Sequence, residues 1–598
     1  MKWKQFLAGL VAAAIMVPPS PGAPSQPFKI KLSGDKQVVH ALDRLTFGAR
    51  LGDYERVKRI GVKKWIEQQL HPGQIPENAL LDAKLRPLES LRMSSIEVAQ
   101  HYPPPQMIRA IADGRQPMPD DPVLRASLTR LVARYRTKKG QAEDPSQANT
   151  LEGLEPARPV DQILDPAQIK RIKSGSLDQK RELLSQLTAA DLDDLVIALP
   201  QPMRQQLFNA APVNVRRKIL LLRAPQQVVA YDLLESKLLR AVYSNRQLAE
   251  ELDDFWFNHF NVFYDKGSDK FLIPSYERDA IRPNVLGSFR NLLEATAKSP
   301  AMLFYLDNFQ SVKADMDAKA KNNKVKRGLN ENYGRELLEL HTLGVNGGYT
   351  QHDVIEVARC FTGWGIEQPR KGGGFLYNDK VHDKGEKVVL GHVIPAGGGM
   401  QDGEMVLDIL ASHPSTARFI SRKLAQRFVA DNPPQALVDK MAKTFLTKKG
   451  DIREVIKVML TSKEFWSEGA YRAKVKTPFE MVASAVRAVD ANVDDAYALA
   501  NQIGQLGEPL YRKQEPTGYS NLNADWVNSA ALLGRLNFAL NLTQNKVPGV
   551  KVDALRFESL SVHDLSAQTQ ATIDKATKDK QPATTAGLML GSPEFQRK

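Results

Sequence analysis

Helical periodicity runs through almost the whole chain, and it restricts the fold more than any other feature. Apolar residues recur three and four apart in KQVVHALDRLTFG and DYERVKRIGVKKWIEQQL (36–70). That spacing predicts two amphipathic helices with a glycine-containing joint. The pattern returns in HPSTARFISRKLAQRFVA, PPQALVDKMAKTFLTKK, DIREVIKVMLTSKEFW, KTPFEMVASAVRAVD and DWVNSAALLGRLNFALNL. It breaks only around 370–400, where GGG occurs twice around YNDKVHDKGEKVVLGHVI. The expected fold is therefore mainly α: a large multi-helix domain with a short β-hairpin or irregular excursion near 370–400.

The beginning of the chain reads as a secretory signal peptide, residues 1–22. Lys2 and Lys4 precede an apolar run from about Phe6 to Val17, then small residues and prolines. That run is short for a bilayer span, and no later stretch reaches 18 uninterrupted apolar residues. A periplasmic or extracellular location is expected, with no transmembrane segment after signal cleavage. Residues 23–137 read as the N-terminal helical part of the main domain. Residues 138–225 read as a linker, TKKGQAEDPSQANTLEGLEPARP, followed by a helical insertion. SLDQKRELLSQL and TAADLDDLVIALP in that insertion open with capping-box-like starts. Residues 226–598 carry the rest of the main domain.

The formal charge is +14. It admits an acidic polymer as partner, or simply 82 basic and 68 acidic residues spread over a large surface. No long Lys/Arg run with interleaved aromatics marks a specific nucleic-acid site. Cys360 is the only cysteine, which excludes internal disulfides and thiol-based metal or redox centres. HExxH, Walker A, GxSxG and GxGxxG strings are absent, so four familiar enzyme classes lose their support.

Candidate chemistry starts with NENYGRELLELHTLG (330–344). On an α-helix, Asn332, Glu336 and Glu339 share one stripe with Arg335 at its edge. His341 lies well over 100° away and cannot join the glutamates. The two carboxylates suit a metal or acid–base role; i,i+4 pairing of Glu331, Arg335 and Glu339 is the structural alternative. In ELDDFWFNHFNVF (251–263), Glu251, Asp254, Asn258 and Asn261 form a polar stripe and His259 sits on the apolar side. His259 reads either as a core histidine or as a ligand in a pocket facing Glu336. VHDKGEKVVLGH (381–392) adds His382, Asp383, Glu386 and His392, either as ligands or as polar tips of a hairpin.

FWFNHFNVF, ATAKSPAMLFYLDN, the 330–364 stretch, HDKGEKVVLG, TARFISRKLAQRFV, KTPFEMV and DWVNSAALLGRLNFAL occur in one order. Together they resemble the large exported bacterial family called domain of unknown function 1800, from about residue 36 onward. The resemblance implies no established activity. It points to His259, Asn332, Arg335, Glu336, Glu339, His382 and Asp383 as the matching polar positions, and Phe is common where this chain has His341. It also implies a sulfatase-like exported protein, encoded by a neighbouring gene, as a partner. Where many relatives carry Pro-Pro-x-Val-x-Gly-Trp, this chain reads EPTGYSNLNADW (515–526).

Two functions follow. One is an enzyme with Glu336, Glu339, Arg335 and Asp383 as catalytic groups and His259, His382, Glu336 and Glu339 as metal ligands. Its cofactor is open, with a divalent metal compatible with that set. It would act on an envelope or extracellular substrate. The other is a non-catalytic cell-envelope binding or assembly protein, with the same residues forming a buried polar network.

Overall fold

Short capped helices make up most of the computed structural model, which describes residues 27–120, 122–138, 158–314, 328–560, 565–577 and 581–598. The expected signal peptide and residues 139–157 of the expected linker lie outside the described residues. Thr350 with Asp353, Ser176 with Gln179 and Thr477 with Glu480 form reciprocal capping boxes, each satisfying two otherwise orphaned N–H groups. Thr188 accepts from the Asp191 N–H. The helix expected over 53–70 is two helices, Asp53–Ile60 and Val62–Gln69. Gly61 between them takes φ +88°, a conformation that side-chain-bearing residues rarely adopt, and so ends one helix and starts the next.

The chain is mainly α, with three small two-stranded antiparallel sheets among the described residues. β1 (Trp364–Ile366) pairs with β2 (Phe375–Tyr377), Trp364 opposite Tyr377. β3 (Lys387–Val389) pairs with β4 (His392–Ile394) through a two-residue turn. Leu390 and Gly391 both have positive φ there, as a type I′ hairpin turn requires. β5 (Asn492–Val493) pairs with β6 (Val550–Lys551). The excursion at 370–400 is thus the loop and second strand of one hairpin followed by a complete second hairpin.

One large apolar cluster joins residues from Val38 to Leu590. Helices Gln226–Tyr243 and Gln247–His259 run through it and bury Asp232, Glu235, Lys237, Glu250, Glu251 and Asp253 along with their apolar residues. Buried charges require partners, and these residues find them in distant segments. Residues from Leu164 to Ile219 enclose a second apolar cluster. A buried Arg216–Asp495 ion pair at 2.6 Å connects it to the rest. Among the described residues, no helix is long and apolar enough to cross a membrane.

Candidate functional site

The stretch that holds the two glutamates is not a uniform α-helix. Glu331–Glu336 is α-helical, and Leu337–Thr342 continues as a π-helix, shown by the Leu343 N–H donating to the Leu338 carbonyl at 2.9 Å. An inserted residue of this kind re-aims the side chains around it. Gly334 lets the turn approach helix Gln351–Cys360 closely: a Cβ there would lie 3.0 Å from the Val354 carbonyl oxygen. His341 consequently faces the core, while Glu336 and Glu339 stay half-buried on another side. The separation read from the sequence holds.

The glutamates are not neutralised by Arg335. Its guanidinium donates to Gln351 at 2.8 Å and contacts Glu331 at 3.4 Å. Glu339 accepts from the Tyr349 hydroxyl at 3.3 Å. Partial burial, then the adjacent Glu339 charge, raise the Glu336 carboxyl above its ordinary value against the pull of Arg335. Asn332 donates to the Leu306 carbonyl at 3.4 Å.

The histidines go elsewhere. His259 Nε2 donates to the His341 carbonyl oxygen at 3.1 Å, and the two imidazoles lie 6.3 Å apart, centroid to centroid. Burial, Lys423 and His341 hold His259 well below its ordinary value, so it is neutral. His341 is pushed down to about 3 by burial and by Lys423. Lys423 itself is lowered to about 8 by burial. His382 is fully buried in the loop before β3. Its Nδ1 donates to the Thr362 carbonyl at 2.8 Å and its Nε2 contacts Asp402 Oδ2 at 3.1 Å. Lys387 Nζ reaches the same oxygen at 2.8 Å. Asp383 is clamped by Arg359 at 2.8 and 3.1 Å and accepts from the Gly385 N–H. Burial opposes its charge, but the Arg359 hydrogen bonds outweigh burial and hold the carboxyl below its ordinary value.

The structure gives the residues of the expected metal set separate surroundings. His259, His382, Glu336 and Glu339 do not gather into one centre. Both ring nitrogens of His382 are taken by protein groups, and one of His259. Among the described residues, no group of three or more His, Cys, Asp or Glu is placed to hold a metal ion. Asp383 and Arg335 are likewise taken up by protein partners, not grouped with the glutamates.

The polar stripe on helix Gln247–His259 is a clamp. Glu251 and Asp254 bind Arg427 at 2.8 and 3.2 Å, and Arg427 also reaches Glu480 at 2.8 Å. Asn258 holds Tyr519 through both its amide atoms, at 2.8 and 2.6 Å. Asn261 donates to the carbonyls of Lys513 and Glu515 at 2.9 Å each. The divergent EPTGYSNLNADW segment is thereby strapped onto this helix. Gly518 (φ +70°) permits it, because a Cβ there would meet the Asn258 carbonyl oxygen at 2.2 Å. Beneath the strap is a cavity of about 30 Å³, lined in part by Lys237, Asp254, Arg427 and Glu508. That is room for one or two waters. Burial, with the Asp254 charge, pushes Glu508 up to about 8.

A much larger opening, about 920 Å³, lies outside every predicted residue. One wall is helices Ser95–His101 and Pro105–Ala112 with the turn after them; the other is the β1–β2 loop, 367–374. Arg109, Arg115, Arg370 and Lys371 line it against a single carboxylate, Glu367.

Sequence reasoning missed His341, Asp402, Lys387 and Arg427 as partners. Only the Arg359–Glu356 pair had a local signal, an i,i+3 spacing on one helix.

These features define a mainly helical protein whose sequence-marked polar residues act largely as clamps between segments and which carries a wide cationic opening. The chain belongs to the family described as "Protein of unknown function (DUF1800)", which matches residues 40–597. No curated protein and no solved structure matches it.

Proposed function

We propose that the protein is an exported, non-catalytic binding or assembly protein of the cell envelope, with a rigid frame of buried ion pairs. One observation carries this reading: His382, Asp383 and Arg335, three of the six residues proposed for catalysis or metal binding, are held by protein groups. A side chain held by fixed partners on its reactive atoms positions segments; it is not free to bind substrate. The secretory pattern of the leader supports export, and an envelope polymer or a sulfatase-like exported partner is what such a protein would hold. The test is incubation of the purified protein with a mixture of envelope polymers. Capture of unmodified polymer is expected. Time-dependent release of low-mass fragments, abolished by Glu336→Gln, would replace binding with catalysis.

A second reading, acid–base chemistry at Glu336, is favoured by its raised carboxyl beside Glu339 and by the absence of a cationic partner for either among the ion pairs described. A carboxyl raised by burial and a neighbouring carboxylate is suited to general acid and base catalysis. The fragment-release assay separates the two readings.

A further inference from the structure

We propose that the groove between residues 96–119 and 367–373 binds an acidic polysaccharide. The inference rests on the binding reading above and names its ligand. With a volume of about 920 Å³, the groove is of the size that ligand sites usually have.

Its shape is built in. Ser95 Oγ donates to the Gly372 carbonyl at 2.6 Å, tying the β1–β2 loop to the first helix of the opposite wall. Gly372 (φ +78°) is pressed so close that a Cβ would sit 2.3 Å from the Ser95 carbonyl oxygen. The loop is folded tightly on itself, with the Lys371 N–H donating to the Gln368 carbonyl at 2.8 Å and the Glu367 N–H to Gly374 at 2.9 Å. Arg370 and Lys371 project from this fixed turn and are exposed. Arg109 faces the groove from the other wall and is also exposed. Among the described residues no ion pair neutralises Arg109, Arg370 or Lys371; Arg115 is shared with Asp113 at 2.8 Å.

The chemistry of the walls selects the ligand class. Guanidinium forks match carboxylate and sulfate oxygens, and a cationic groove with one opposing carboxylate concentrates anions. Gln100, Gln106, Gln116 and Gln368 also line the groove. Their amides both donate and accept, as recognition of sugar hydroxyls requires. Ile96 and Met107 add apolar surface for the faces of sugar rings. No Phe, Tyr or Trp lines it, so a stacking platform for nucleic-acid bases is missing. Spaced negative charge on a hydroxyl-rich chain is the chemistry that answers this lining.

The test uses the full chain with polygalacturonate as the acidic polysaccharide, dextran as the neutral one and single-stranded DNA as the other polyanion. Binding is followed by calorimetry at two salt concentrations. Polygalacturonate is expected to bind, to weaken as salt rises, and to exceed both dextran and DNA. The triple variant Arg109→Glu/Arg370→Glu/Lys371→Glu should bind at least tenfold more weakly, with its circular dichroism melt unchanged. Lys440→Glu/Lys443→Glu/Lys448→Glu makes the same change in net charge on exposed positions of another helix and should stay within threefold of wild type. Equal weakening in both variants would overturn the site, and DNA binding as tight as polygalacturonate would overturn the ligand class. Capture of a neutral envelope polymer in place of polygalacturonate would sink this inference while leaving the binding reading intact. Cleavage of bound polygalacturonate would do the reverse.

Discussion

Asp402 is the group on which the second hairpin depends. Its Oδ2 lies 3.1 Å from His382 Nε2 and 2.8 Å from Lys387 Nζ, and all three residues are no more than 1% exposed. Asp402→Ala leaves the Lys387 amine with only the carbonyls of Asp383 and Gly385, and removes the partner of His382 Nε2. Removing one partner of a buried charged pair costs ~3–5 kcal/mol. The cost falls within that range, because Lys387 and His382 lose the same partner together. Residues 378–400 should feel it first, since His382 and Lys387 both belong to that segment. A local destabilisation of ~3 kcal/mol corresponds to a roughly hundredfold larger open population. Hydrogen exchange by mass spectrometry, read on peptides covering 378–400, measures this directly. Asp402→Leu combined with Lys387→Met should recover at least half of the loss, because an apolar pair needs no acceptor. The reasoning is refuted if Asp402→Ala costs under ~1 kcal/mol and leaves exchange in 378–400 unchanged.

The remaining predictions concern pH and the strap. Glu508 holds its proton up to about pH 8 in the folded state, while its unfolded form ionises near 4.5, so stability falls as pH rises between those values. Glu508→Gln should remove ~3–5 kcal/mol of that decline in urea titrations at pH 5 and pH 8.5. His341 resists protonation until about pH 3, whereas the unfolded chain takes the proton below 6.5, so the fold loses stability as pH drops through that window. His341→Phe should therefore gain ~2 kcal/mol at pH 5 relative to pH 8 in the same titration; a pH-independent difference between the proteins would refute it. Gly518→Ala should free the strap at a cost of ~2 kcal/mol or more, read as new protease cleavage within 513–521, because its φ and its contact with Asn258 both forbid a Cβ. Glu336→Gln, by contrast, should change stability by less than ~1 kcal/mol in a urea titration, since no ion pair is described for that half-buried carboxylate.

The helices, their capping boxes and the hairpin region were legible because their causes are local. Thr350 needs only Asp353, three residues on, and the Leu390–Gly391 turn is read within two residues. The polar stripe Glu251–Asp254–Asn258–Asn261 was legible as a stripe for the same reason. Its purpose was not, because Arg427 and Tyr519, which hold Glu251, Asp254 and Asn258, stand more than 170 residues away. The π-turn at Leu337–Thr342 was hidden too. Its shifted hydrogen bonds arise with close packing of Gly334 against Val354 and Ala358, which no wheel drawn from 330–344 contains.

The same locality explains why the candidate catalytic residues looked like a site. Catalysis and clamping both draw on His, Asp, Glu and Arg placed among apolar residues, so residue type and spacing cannot separate them. What separates them is whether the reactive atoms are already satisfied. His382 spends Nδ1 on the Thr362 carbonyl and sets Nε2 against Asp402, and Asp383 is held by Arg359 at two points. Those are the signs of a frame, in which each buried polar group removes a desolvation penalty from another. Glu336 and Glu339 differ: they lie half-buried at the edge of the frame, Glu339 accepting from the Tyr349 hydroxyl, and no described ion pair joins either of them. The groove differs in the opposite sense, with Arg109, Arg370 and Lys371 in no described ion pair. Unanswered charge at a half-open surface costs little to keep and is available to a ligand, whereas unanswered charge in the core would unfold the chain. On that physical ground the search for function belongs at these two surfaces, away from the buried histidines.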